Sequence, residues 1–111
     1  MGHVLIIAPN PDLRTSLQFA LEAEGHIVTI HASIDQVGEA PENFDCTILD
    51  HHGVGRSVNV AIFFRVFQPV VLLANEASDP LASASFRTVL KPQLGASLSQ
   101  AVTQAIHATR R

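Results

Sequence analysis

The sequence has few of the residues that stabilise secreted domains, cross membranes or bind polyanions. Cys46 is its one cysteine, so an internal disulfide is excluded and a reducing compartment is favoured. Seven basic residues against ten acidic ones give no basic surface for nucleic acid. No apolar run approaches the roughly 18 residues of a membrane helix, and no signal peptide is visible. We therefore expect a cytoplasmic protein that neither spans a membrane nor binds nucleic acid directly.

The sequence does contain a large share of hydrophobic residues, 47% of 111. This length lies near the commonest domain size and is sufficient to bury one sizeable core. We therefore predict a single domain over residues 1–111, which stands alone or forms one module of a longer protein.

Apolar runs separated by helical patterns predict an α/β fold. The runs at 4–7 and 69–74 are continuously hydrophobic, as expected for parallel strands that are covered on both faces. Residues 26–31 alternate and predict a strand nearer the sheet edge, and 45–50 and 86–90 complete a set of five. Strands that alternate with helices favour a doubly wound parallel sheet, because right-handed crossovers place helices on both of its faces.

The first helix has the clearest boundaries. Asn10 is a good N-cap, Pro11 suits the first helical position, and Gly25 suits the C-terminal stop. Four further helices are predicted, from Ser33 to near Pro41, at 57–67, at 75–85, where a short and mobile helix is expected, and at 94–108.

Ligand-binding groups in such a sheet collect beyond the carboxyl ends of its strands. Asp50 ends the third predicted strand, and Lys91 follows the fifth. The positions selected by this rule are Ala8, Pro9, Asn10, Asp50, Ala74 and Lys91.

The motifs around these positions resemble the receiver domain of bacterial two-component response regulators. The opening IAPNPDLR at 7–14 aligns without gaps with the family's VDDEPDLR style of opening, and CTILDHHG at 46–53 and VLKP at 89–92 supply the later motifs. The resemblance covers essentially the whole chain. It implies a flavodoxin-like (βα)5 fold with strand order 2-1-3-4-5.

The resemblance also assigns roles to three retained residues. The aspartate that ends the family's third strand accepts a phosphoryl group, and this position falls on Asp50. The family's phosphate-binding lysine matches Lys91, and the proline that follows it in a cis bond matches Pro92.

The other family positions are changed. The two magnesium-binding acids fall on Ala8 and Pro9, the hydroxyl residue of the fourth strand on Ala74, and the aromatic switch residue on Thr88. Magnesium requires oxygen ligands in near-octahedral geometry, and phosphoryl transfer depends on positioning and charge neutralisation. The resemblance therefore implies a degenerate receiver in which magnesium binding is weak or absent.

Two function classes follow, and a third is disfavoured. The leading hypothesis is an atypical receiver, not an enzyme, that acts without phosphorylation by protein–protein contact or dimerisation. The alternative is a working receiver that is phosphorylated on Asp50 in a phosphorelay. A flavodoxin-like enzyme or nucleotide binder is disfavoured, because the segment at 9–11, PNP, replaces a glycine-rich phosphate loop.

The expected contact surface lies at about 76–106, where the family commonly binds its partners. The candidate partners are a histidine kinase, an output domain and a second copy of the chain. Small residues in this range are expected to permit close helix approach: Ala82, Ala84, Ala96, Ala101 and Ala105.

Other reactive side chains are interpreted as structural. His51 and His52 are expected to point to different sides, with no ligand-spaced cluster around them, so no metal site is predicted. Cys46 is interpreted as a small buried hydrophobe. The aromatic cluster of Phe63, Phe64 and Phe67 is interpreted as core.

Overall fold

The structure is a computed structural model that describes residues 2–54, 59–91 and 95–109. The described residues form a five-stranded parallel sheet in the order β2-β1-β3-β4-β5. This confirms the predicted α/β fold and its strand order. The strands are β1 (His3–Ile7), β2 (Ile27–His31), β3 (Cys46–Asp50), β4 (Val70–Ala74) and β5 (Arg87–Leu90).

The first helix begins and ends as predicted. Asn10 Oδ1 accepts hydrogen bonds from the backbone N–H groups of Asp12 and Leu13, at 2.8 and 3.1 Å. Gly25 follows the helix with a φ of 95°, in the left-handed region that favours glycine. None of the described helices is long and apolar enough to cross a bilayer. The described residues contain three α-helices: α1 (Pro11–Ala23), α2 (Val60–Val66) and α3 (Gly95–Thr109).

The crossovers after β2 and β4 differ from the prediction. They contain 3-10 turns in place of α-helices, Ile34–Gln36 and Pro41–Asn43 after β2 and Ala82–Ala84 after β4. Ser33 makes no capping hydrogen bond through its side chain. Gly38 and Pro41 interrupt the first segment and Pro80 interrupts the second, so neither segment is long enough without a break to form a stable α-helix.

The two faces of the sheet bury separate sets of alternating side chains. In β1, Val4 and Ile6 pack with α1 and α3, whereas Leu5 and Ile7 pack with α2 and the 3-10 turns. Cys46 is buried in β3, and burial raises the pKa of its thiol to about 12, which confirms its interpretation as a hydrophobe. Phe63 and Phe64 are also core residues, as predicted, while Phe67 is partly buried.

Two small residues that were expected on the contact surface lie in the core. Ala101 and Ala105 are fully buried, together with Leu98 and Val102. Residues three or four positions apart share one face of a helix, so this stripe faces the sheet. A contact surface on α3 must therefore depend on its exposed residues, which include Gln104.

The 3-10 turn that follows β3, His51–Val54, packs tightly against the sheet. A Cβ atom on Gly53 would lie 2.9 Å from Ile7 Cγ2 and 3.2 Å from Leu49 Cδ1. A contact below 3.0 Å requires a shift, either of the turn or of the Ile7 side chain. Glycine is therefore needed here for its lack of a side chain.

We expect Gly53→Ala to lower the free energy of unfolding by about 1–3 kcal/mol, the usual cost of overpacking a core. Gly38→Ala is the matched control, because a Cβ atom there meets nothing within 4 Å. Its effect should be neutral or slightly stabilising. Urea denaturation measures both variants, and equal stability of the two would contradict the close contact at Gly53.

Candidate functional site

The carboxyl edge of the sheet brings Asp50 and Lys91 together. Asp50 ends β3 in the middle of the sheet, and its side chain is 3% exposed. Lys91 follows β5, and its Nζ donates a hydrogen bond to Asp50 Oδ2 at 2.9 Å. Because β4 lies between β3 and β5, the lysine side chain spans the end of β4, where Ala74 is fully buried.

The second oxygen of Asp50 is bound by the turn that follows it. The backbone N–H of His52 donates to Asp50 Oδ1 at 2.8 Å, and His52 Nδ1 lies 3.3 Å from the same oxygen. A buried carboxylate requires such partners, because an isolated ion in a protein interior costs several kcal/mol. Both carboxylate oxygens are therefore engaged within the protein.

The remaining family positions do not add acids to this edge. Ala8 is fully buried and Pro9 is exposed. Arg14 of α1 instead donates through Nη1 to the carbonyl oxygen of Ala8 at 2.8 Å, so a cation lies at the end of β1. Thr88 Oγ1 lies 3.2 Å from Ser85 Oγ. Pro92 lies outside the described residues.

These residues do not fit a magnesium site of the receiver type. Magnesium in proteins is usually held by one or two carboxylates with several waters and substrate phosphate. Among the positions selected from the sequence, Asp50 alone carries a carboxylate, and the ammonium of Lys91 already binds it. With one oxygen of this carboxylate held by Lys91, these positions lack the set of oxygen ligands that magnesium prefers.

His51 and His52 lie together, which contradicts the prediction that they point apart. Their ring centroids are 4.0 Å from each other. One ring nitrogen of each histidine and one carboxylate oxygen of Asp50 all lie within 4.8 Å of one another. The cause is the 3-10 turn, which begins directly after β3 and ends the alternation of side chains that an extended strand would continue.

Asp79 is a site residue that the sequence reasoning missed. Its Oδ2 lies 2.9 Å from His51 Nδ1, and its Oδ1 accepts a hydrogen bond from the backbone N–H of Leu81 at 2.9 Å. In the sequence, Asp79 and Pro80 lie within the short helix predicted at 75–85, and nothing in the local pattern links Asp79 to His51. The available signal was topological, because β3 and β4 are paired and the segments that follow them meet at one edge.

Comparisons with known structures agree with this architecture. The chain is similar to a response regulator receiver domain protein from Clostridium thermocellum, with a TM-score of 0.79 and 20% identity over 99% of this chain and 98% of that one. It is similar to the BeF3-activated N-terminal receiver domain of Klebsiella pneumoniae RstA, with a TM-score of 0.77 and 21% identity over 94% and 97%. Full-length FixJ from B. japonicum gives a TM-score of 0.79 and 22% identity over 97% of this chain, which spans 59% of FixJ. No protein-family model and no curated protein matches the sequence. At this level of identity, the comparisons establish the receiver fold.

We expect Lys91→Met to lower the free energy of unfolding by about 2–3 kcal/mol, because it leaves the carboxylate of Asp50 buried without its cationic partner. Adding Asp50→Asn should recover part of this loss, since the double variant has no buried charge at this place. Urea denaturation of the two single variants and the double variant gives the coupling energy.

The control for this cycle is Arg65→Met, which removes an exposed positive charge from α2. Its effect should lie within about 0.5 kcal/mol, as for most surface substitutions. Additive effects of Lys91→Met and Asp50→Asn, with no coupling energy, would show that their contact does not contribute to stability.

Proposed function

We propose that this chain is an atypical receiver domain of two-component signalling that acts without phosphorylation, through contacts with other proteins. The receiver fold supports the class of protein. The observation that carries the proposal is the carboxylate of Asp50, which is buried and bound by Lys91 and by the backbone of His52. We further propose that the domain is a non-catalytic module of the cytoplasm.

The chemistry of phosphoryl transfer supports this reading. A phosphoacceptor must direct an oxygen at the phosphoryl group while cations neutralise the charge that spreads over the transferring oxygens. Here Oδ2 of Asp50 accepts from Lys91 and Oδ1 accepts from the turn. Ala8 and Pro9 supply no carboxylate for a metal ion. The described site therefore offers one ammonium where the reaction requires positioning and a metal.

One observation favours an alternative function. Asp50 and Lys91 are the two residues that the resemblance assigns to the phosphoacceptor and to phosphate binding, and they are in contact. A working receiver in a phosphorelay would use the same pair. It would have to expose an oxygen of Asp50 and neutralise charge without acids at the end of β1.

We expect no phosphoryl group on Asp50 after incubation with a small-molecule phosphodonor and magnesium, because the site lacks the metal ligands. Intact-protein mass spectrometry checks this, with a conventional receiver as the positive control and Asp50→Asn as the negative one. An added phosphoryl group that is lost in Asp50→Asn would establish the alternative. Amide NMR with magnesium and beryllofluoride provides the second readout, and we expect no saturating shifts near Asp50, Ala74 and Lys91.

The proposed contacts use the exposed side of residues 76–106. Within the described sheet, β5 is an edge strand that pairs with β4 alone, and unpaired strand edges are ready to bind another chain. Leu90 on β5 is 42% exposed. It lines a groove of about 380 Å³ between β5 and α3, which is bounded by Arg87, Thr88, Val89, Leu90, Ser97, Gln100, Ala101 and Gln104.

We expect the protein to self-associate through this groove, so that its mean mass in light scattering rises with concentration. Leu90→Glu should reduce the rise, because it places a charge where apolar surface would be buried. Ile62→Glu is the matched control, since Ile62 is 50% exposed on α2, outside this groove. A mass that stays at one chain over the whole range would contradict self-association.

A further inference from the structure

We infer that Asp50, His51 and His52 form a binding site for Zn²⁺, and that Asp79 positions His51 for the ion. One ligand atom from each of the three residues lies within 4.8 Å of the others. The inference goes beyond the proposed function, because zinc binding by these residues depends neither on phosphorylation nor on a protein partner.

Within the described part of the chain, the hydrogen bonding of the His51 ring leaves one of its two nitrogen atoms without a partner. Its Nδ1 lies 2.9 Å from Asp79 Oδ2, and an ionised carboxylate can only accept, so Nδ1 carries the hydrogen. In a neutral imidazole, Nε2 then holds a lone pair. This Nε2 is buried and has no hydrogen-bond partner within residues 2–54, 59–91 and 95–109. A buried acceptor without a partner is costly, and a metal ion would satisfy it.

Asp79 holds the His51 ring in place. Metal-binding histidines usually donate their other ring N–H to a carboxylate, which fixes the tautomer and the ring orientation. Asp79 makes this contact, and the backbone N–H of Leu81 holds its other oxygen at 2.9 Å. Asp79 is therefore itself held in place, and the pair has the arrangement of a carboxylate–histidine support for a metal ligand.

The three ligand atoms can move close enough together to bind one zinc ion. Zinc–nitrogen bonds of about 2.0–2.1 Å place tetrahedral ligand atoms roughly 3.3 Å apart. The present separations reach up to 4.8 Å, and the side chain of His52 is 64% exposed, so solvent leaves it room to move toward the other two ligands. Asp50 Oδ1 accepts the backbone N–H of His52 and retains a second lone pair, while Lys91 stays on Oδ2.

The donor set selects the ion. Two imidazoles and one carboxylate suit zinc, whereas magnesium prefers oxygen ligands alone. Three protein ligands leave a fourth zinc position for water or another ligand, as is usual in zinc sites that are open to solvent.

Tag-free, chelator-treated protein is titrated with zinc chloride. Calorimetry measures the affinity and the number of ions bound, and the rise in unfolding temperature measures the stabilisation by zinc. Cobalt replaces zinc in a parallel sample, because its visible absorption reports the number and kind of ligands. We expect one ion per chain. His52→Asn should abolish saturable binding, and Asp79→Asn should weaken it by about 10–100-fold, as for other supporting carboxylates.

The control is His107→Asn, which removes an exposed histidine from the last turn of α3 and should leave the affinity unchanged. His52 is mostly exposed, so loss of binding in His52→Asn cannot be ascribed to unfolding. The inference is overturned if the native protein shows no saturable binding, or if saturable binding survives in His52→Asn. The phosphodonor experiment is done on zinc-free protein, so a failure of zinc binding leaves the proposed function standing.

Discussion

The burial of both sheet faces is the constraint on which the rest of the structure depends. The side chains of β1, β3 and β4 pack against apolar residues on each side, so a charge has a place only at the ends of these strands. Asp50 stands where β3 leaves this environment, and its carboxylate is still almost fully buried. Its charge must be matched nearby, and the matching groups come from the turn after β3 and from Lys91 after β5. The arrangement of the carboxyl edge follows from this one carboxylate.

The residues at the end of β1 determine what Lys91 can bind. In an intact receiver, as the resemblance implies, the lysine shares its site with several carboxylates and a magnesium ion. Here the end of β1 carries Ala8 and Pro9, and the guanidinium of Arg14 binds the carbonyl oxygen of Ala8. Lys91 therefore has one carboxylate to bind, that of Asp50. The side chains of Lys91 and Asp50 are only 18% and 3% exposed, so salt and solvent screen their attraction weakly. Such a contact favours one arrangement, whereas a switch requires two arrangements of similar free energy.

The parts of the fold that could be predicted are those that local chemistry decides. Asn10 and Gly25 bound α1 through interactions within a few residues, and the apolar runs needed only their own periodicity to predict five strands. Asp50 and Lys91 could be paired because the carboxyl ends of parallel strands share one edge. The conformation of His51 and His52 was not predictable in this way, because it depends on the 3-10 turn that begins directly after β3. The same holds for Asp79, which lies 28 residues from its histidine partner and meets it only through the pairing of β3 with β4.

The chemistry of the edge can change while the fold stays the same. The fold requires that the carboxylate of Asp50 be matched by positive charge and by hydrogen-bond donors, and it does not specify which ion or residue supplies them. Carboxylates at positions 8 and 9 would give a set of hard oxygen donors that suits magnesium. Two imidazoles after β3, with no acid at positions 8 and 9, give a nitrogen-rich set that suits zinc. Because Asp50 belongs to both sets, phosphoryl transfer and zinc binding compete for one carboxylate. The residues that surround it therefore decide which of the two the domain can perform.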